Sequence, residues 1–191
     1  ICAAVFRPVD RRVSNHQSVG MKTLCTLHNR LCRAAPYILV TISAAMLLTV
    51  YLMQHIGGLE PCPLCVTQRY AHFVAGGLAL TAVMTRGRLR AFATILTGFA
   101  LLSAVAYATY HVGVERGWFT SSCAGAITGG TIDDIRARIM EAPLTRCDEV
   151  PWALFGISLA GWNAIISLAL AGFAIYSGAL MLFSRLTRSA S

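Results

Sequence analysis

The sequence predicts an all-α protein: a four-helix bundle built into a membrane. Three observations carry that expectation. The chain has 191 residues, 56% hydrophobic and 13% charged, where soluble domains carry about 25% charged residues, and its mean hydropathy is +0.62. Four apolar stretches recur along it, each near the roughly 20 residues that a bilayer core demands of a helix. Its basic residues are segregated from its acidic ones. The length suits one domain.

The net charge of +8 raises the question of nucleic acid, and the placement of the charges answers it. Arg7, Arg11, Arg12, Lys22, Arg30 and Arg33 precede the first apolar stretch, Arg86, Arg88 and Arg90 separate the second from the third, and Arg185 and Arg188 follow the fourth. With Asp10, this set has 11 basic residues and 1 acidic residue, whereas the remaining stretches hold 5 basic and 7 acidic ones. Positive segments stay on the cytoplasmic side of a membrane, so the partner implied is a lipid bilayer and nucleic acid is not expected.

The elements follow in order. Residues 1–35 form a cytoplasmic segment; Met21-Lys22 is a candidate start, with residues 1–20 an upstream extension that lacks the apolar run of a secretory signal. The transmembrane domain covers 36–184, with spans at about 36–53, 66–85, 91–110 and 163–183. Residues 54–65 make a first outer loop and 111–162 a second outer loop with an interfacial segment, in which Trp152 and Trp162 suit the membrane boundary. The tail 185–191 returns to the cytoplasm, so both termini lie there. In the second outer loop, Ile132, Ile135, Ile139 and Met140 follow helical spacing after Thr131, with Asp134 at the third helical position and Pro143 beyond. This predicts a short amphipathic helix with a variant capping box.

The chemistry lies in the cysteines. Cys2, Cys25 and Cys32 fall on the cytoplasmic side and are expected to be free thiols without function, whereas Cys62, Cys65, Cys123 and Cys147 all fall on the outer side, where disulfides persist. Four cysteines allow three pairings. Cys62-Pro63-Leu64-Cys65 is a C-x-x-C at the point where a loop enters the second helix, and a helix start favours the thiolate; Cys65, deeper in the first turn, is the better placed. Arg69 stands at i+4 from Cys65, on the same face, where it supports a thiolate or a polar ligand unless it merely reaches for headgroups. Cys123 and Cys147 bracket the loop helix and suit a loop-closing disulfide. Neither belongs to a second C-x-x-C, so redox use ranks above a metal site and no metal is expected. His111 ends the third span and is a candidate site residue. His72, seven positions after Cys65 on the same face, is a weaker one. Ala71, Ala75 and Ala79 form a row of small residues suited to helix packing.

Residues 36–185 resemble the DsbB family of bacterial disulfide-bond oxidoreductases. The likeness rests on the four spans, the segment Pro61-Cys62-Pro63-Leu64-Cys65-Val66-Thr67-Gln68-Arg69, the pair Cys123/Cys147 in the second outer loop, and Trp152 with Leu154-Phe155-Gly156. It implies an enzyme of the bacterial inner membrane whose redox cysteines face the periplasm. A DsbA-like thiol oxidase would be reoxidised there and electrons passed to a membrane quinone, ubiquinone or menaquinone. The resemblance implies catalytic roles for Cys62, Cys65, Cys123 and Cys147. The partner would attack Cys123, Cys147 would pass electrons to the Cys62–Cys65 disulfide, and Cys65 would become the thiolate beside the quinone, bound by Arg69 and His111. Gln68 stands where some members carry an acid. Rival expectations are a paralogue dedicated to one partner, a vitamin-K-epoxide-reductase-like enzyme, whose C-x-x-C would sit near a later helix, and a non-enzymatic tetraspan protein with structural disulfides.

Overall fold

A computed structural model of the chain describes residues 15–121, 123, 131, 133 and 145–189. The described residues contain four long helices: α1 (Asn15–His55), α2 (Pro63–Met84), α3 (Gly87–Glu115) and α4 (Leu159–Ser189). Three of them are long and apolar enough to cross a membrane, at Leu27–His55, Gly87–Glu115 and Leu159–Thr187. The exception, α2, carries Gln68, Arg69 and His72 in its first half. The expected amphipathic helix after Thr131 lies outside the described residues, Thr131 and Asp133 apart.

The helices run beyond the apolar stretches that mark them. The first continues without interruption through Pro36, which cannot donate to the carbonyl four residues back. Pro36 is fully buried, and Arg90 from α3 donates to the neighbouring Arg33 carbonyl at 3.1 Å while its guanidinium lies 5.5 Å from the centre of the Tyr37 ring. Arg90 thus bonds the carbonyl next to the one that the proline leaves without its helical donor. The fourth helix begins at Leu159, ahead of the expected position near Asn163, because a two-stranded hairpin delivers the chain to it. In that hairpin β1 (Ala153–Leu154) pairs antiparallel with β2 (Ile157–Ser158), and the turn places Phe155 (φ 53) and Gly156 (φ 76) in the left-handed region, as a type I′ turn requires.

The bundle is small inside and large outside. On α2, Ala71, Ala75, Ala79 and Ala82 are buried, while Tyr70, Phe73, Val74, Leu80 and Met84 are exposed. The same holds for α3, where Ala104 and Ala108 are buried and Phe92, Leu96 and Phe99 are exposed. A water-soluble bundle reverses this order; helices in lipid gain little by hiding Leu and Phe, and instead pack small residues closely. Helices α3 and α4 approach closely at two glycines. A Cβ on Gly98 would stand 2.5 Å from Ile175 Cγ1 and 3.1 Å from the Ala171 carbonyl, and one on Gly178 would stand 2.6 Å from Ile95 Cγ1 and 3.0 Å from the Ala91 carbonyl. The central core gathers Leu39, Ala75, Ala79, Leu101, Leu170, Ala171 and Ala174 from all four helices.

Candidate active site

Cys62 is the N-cap of α2. Pro63 presets the first helical φ, and Cys62 itself is extended (φ −74, ψ 164), so its Sγ accepts the backbone N–H of Cys65 at 3.3 Å. The two sulfurs lie 3.1 Å apart and are unbonded. From α3, His111 brings its Nε2 to 3.6 Å from Cys62 Sγ. The expectation that Cys65 is the better-placed thiolate therefore meets a different arrangement. Cys62 Sγ already accepts one N–H and faces the imidazole, so the proton shared by the two sulfurs belongs to Cys65. Donation from Cys65 holds the Cys62 thiol down to about 4, from an ordinary 9.0, with His111 adding to the effect and burial opposing it. The Cys65 thiol is pushed far above its ordinary range, first because it donates to Cys62 and then by burial, with the Arg69 charge acting weakly the other way.

The second pair packs against the first. Cys123 and Cys147 form a disulfide with Cα atoms 5.4 Å apart, supported by a Cys147 N–H to Cys123 carbonyl bond of 2.9 Å. Cys147 is 0% exposed and Cys123 7%. Both share a buried cluster with Cys62 and Val114, against which Leu64 and Cys65 also pack. Thr145 donates to the Pro61 carbonyl at 3.4 Å, tying the second loop to the first. The sequence leaves this proximity invisible, since 58 or more positions separate the two pairs.

Beside Cys65 a cavity of about 380 Å³ opens between the helices, lined mainly by apolar residues, with Arg69, Gln68, His72, His111 and Glu115 among its few polar ones. This is the size and character of small-molecule sites, roughly 300–1,000 Å³ and mostly apolar. Arg69 is fixed by α1: Nη1 donates to Gln54 Oε1, and the guanidinium lies 4.9 Å from the centre of the Tyr51 ring. Gln54 and Tyr51 thus serve the site, though nothing in their sequence surroundings marks them.

A chain of buried polar groups leads on from His111. Its Nδ1 is 2.9 Å from Gln68 Nε2; Gln68 Oε1 accepts from Asn163 Nδ2 at 2.6 Å; Asn163 Oδ1 is 2.8 Å from His72 Nε2 and accepts from Ser167 Oγ at 2.9 Å. Glu115 Oε1 lies 3.9 Å from His111 Nε2, and its Oε2 accepts from Ser158 Oγ at 2.6 Å. Polar side chains inside a helical membrane protein are costly and usually functional. Among the described residues, Cys62, Cys65 and His111 hold donor atoms within 4.8 Å of one another, a set able to hold a metal ion; it offers three ligands where structural zinc sites take four. The structure brings Cys62, Cys65 and His111 together, sets Arg69 on the wall of the same cavity, and buries the second pair behind them.

Fold and site together define a multi-pass helical membrane protein with two adjacent cysteine pairs. Residues 32–177 match the family described as "Disulfide bond formation protein DsbB", and the chain belongs to that family. Membership makes it a disulfide oxidoreductase. Proteins similar to it include an uncharacterized protein of Rickettsia prowazekii (strain Madrid E), 33% identical over 70% of this chain and 80% of its own length. "Disulfide bond formation protein B" of Marinobacter nauticus is 31% identical over 65% of this chain and 78% of its own length. The protein of that name from a Polaromonas species is 28% identical over 78% and 90%.

Proposed function

We propose that this protein is a thiol oxidase of the bacterial inner membrane. It would reoxidise a periplasmic DsbA-like dithiol protein and pass the electrons to a membrane quinone, ubiquinone or menaquinone. The supporting observation is the order of the parts: the Cys123–Cys147 disulfide packs on Cys62, and Cys65, bonded through its proton to Cys62, lines the cavity.

In this reading all four helices span the membrane. Helix α2 qualifies by its exposed Phe73, Val74, Leu80 and Met84 rather than by mean hydropathy. The arginine-rich segments support cytoplasmic termini, with which the cysteine pairs would face the periplasm.

The exchange begins with a partner thiolate at Cys123. An S–S bond forms to the partner, the Cys123–Cys147 bond breaks, and Cys147 leaves as a thiolate. Cys147 then attacks the Cys62–Cys65 disulfide, and a second thiolate resolves each mixed disulfide in turn. The partner ends oxidised, with two electrons held at Cys62 and Cys65, one proton kept on Cys65 and the other released. Cys62 carries the negative charge on Cys65 N–H and beside His111, which makes the reduced pair a stabilised product and its disulfide a strong oxidant. The cavity fits a quinone head: its walls are apolar, and Arg69 and His111 would hold the oxygen atoms. A bound quinone supplies a sink for two electrons and two protons. Arg69, braced by Gln54 and Tyr51, orients the ligand, and the apolar lining keeps water from the sulfurs.

The test is to purify the protein in detergent with quinone and a reduced DsbA-like partner and to follow quinone absorbance. Quinone reduction is expected, and Cys65→Ser abolishes it. Turnover unchanged in that variant would overturn the reading and leave the cysteines as structural staples.

A further inference from the structure

Cys62 Sγ, Cys65 Sγ and His111 Nε2 all lie within 4.8 Å of one another, with 3.1 Å between the sulfurs and 3.6 Å from Cys62 Sγ to the ring nitrogen. Ligand atoms on one tetrahedral zinc stand roughly 3.3–3.8 Å apart, given Zn–S of about 2.3 Å and Zn–N of about 2.0–2.1 Å. The ring nitrogen is therefore already at ligand separation from Cys62. The sulfurs need to part by less than about 1 Å, a shift open to Cys65, which is the less buried of the two. Two cysteines separated by two residues are also a usual ligand spacing for zinc.

The surroundings suit such an ion. Two thiolates neutralise a divalent cation, so the buried complex carries no net charge and avoids the cost of an unpaired ion. His111 Nδ1 lies 2.9 Å from the Gln68 side-chain amide. With its oxygen turned to the ring, that amide takes the Nδ1–H and leaves Nε2 free to bind, and metal-bound imidazoles are oriented by partners of this kind. Cys65 and His111 both line the cavity, which gives the ion its route in and leaves the fourth position open on that side, for water. The Arg69 charge on the same wall opposes a cation. Glu115, whose Oε1 is 3.9 Å from His111 Nε2 but outside the ligand set, offsets it.

We propose that the reduced Cys62–Cys65 pair and His111 form a binding site for a thiophilic divalent cation of the zinc class, and that the bound ion withholds both sulfurs from exchange. Binding displaces the Cys65 proton to water and leaves the ring neutral, with its hydrogen on Nδ1; no electron moves. Thiolates select zinc over magnesium or calcium, which prefer oxygen donors. The site belongs to one redox state, because the thiolate is the ligand and the disulfide has none to offer. A zinc-class ion thus arrests the pair once it has been reduced, a consequence for turnover that rests on the function proposed above.

The experiment uses untagged, quinone-free full-length protein in detergent under argon. One sample is reduced with a phosphine that is then removed, and a second has both cysteine pairs oxidised. One equivalent of zinc is added to each, and unbound metal is removed by gel filtration. X-ray absorption at the zinc edge counts the donors, and the expected shell in reduced protein is two sulfurs, one imidazole nitrogen and one further light atom. Alkylation read by mass spectrometry reports each cysteine separately. Zinc should abolish labelling of Cys62 and Cys65, leave the other cysteines as they were, and lose its effect when a chelator is added. The oxidised protein should retain no zinc. The proposal is overturned by reduced protein that retains none, by a shell of three or four sulfurs or one without imidazole, by protection that falls on Cys123 and Cys147, or by equal retention in the oxidised form. Every one of these outcomes is read on the unaltered protein, so no variant has to fold. Neither quinone nor partner is present, so this failure and a failure of quinone reduction are separate results.

Discussion

His111 Nε2 stands 3.6 Å from Cys62 Sγ across 49 positions of sequence, and this contact links a helix end to a helix start. It predicts a pH profile. The Cys62 thiol is lowered from 9.0 to about 4, so in the dithiol form it is ionised above about pH 4 and protonated below. Its contribution to the stability of the folded dithiol form is complete above 9.0, declines between the two values, and is lost as pH falls through about 4. Alkylation of the dithiol form should persist at pH values where ordinary thiols are silent, with its midpoint raised in His111→Gln. Alkylation rate against pH, read by mass spectrometry, checks both statements.

Arg69 is held by Gln54 and by the Tyr51 ring. Removing Gln54 as a partner should loosen ligand orientation without touching the sulfurs. A hydrogen bond to a charged group contributes about 1.5–3 kcal/mol, so Gln54→Leu is expected to raise the apparent quinone KM by roughly tenfold, in the same direction as Arg69→Ala and by less. Steady-state kinetics of both variants, with kcat and KM separated, test this.

In the exchange proposed above, Cys147 is the leaving group when a partner attacks Cys123. Cys147→Ser should therefore accumulate a mixed disulfide between Cys123 and the partner, visible on a non-reducing gel, and Cys123→Ser should form none. Absence of the adduct in Cys147→Ser would return this pair to a structural role.

The α3–α4 contact depends on Gly98. Overpacking costs about 1–3 kcal/mol, and Gly98→Ala should lower the detergent Tm accordingly. Adding Ile175→Ala removes the nearest atom, at 2.5 Å, but leaves the Ala171 carbonyl at 3.1 Å, so rescue should be partial. Thermal unfolding of the single and double variants decides it.

Much of this was written locally in the chain. Apolar stretches marked the helices, and Cys62-Pro63-Leu64-Cys65 with Arg69 at i+4 marked the site, because those signals lie within a turn or two of one another. The role of Cys62 as the N-cap acceptor was less legible, since ordinary caps are Ser, Thr, Asp or Asn. Asn163 was wholly silent: it meets Gln68 and His72 from 95 and 91 positions away, and only the packing of α4 brings it there. The Arg90 contact beside Pro36 was likewise hidden, because Arg90 comes from another helix.

The burial of the Cys123–Cys147 disulfide carries one more consequence. An oxidant open to water would be drained by every small thiol that diffuses past. With Cys147 sealed and Cys123 nearly so, the couple is insulated, and under the function proposed above a partner would have to pry the second loop from Pro61 and Val114 to make contact. Selectivity then resides in the work of opening, and the sulfur chemistry itself has no need to distinguish one thiol from another.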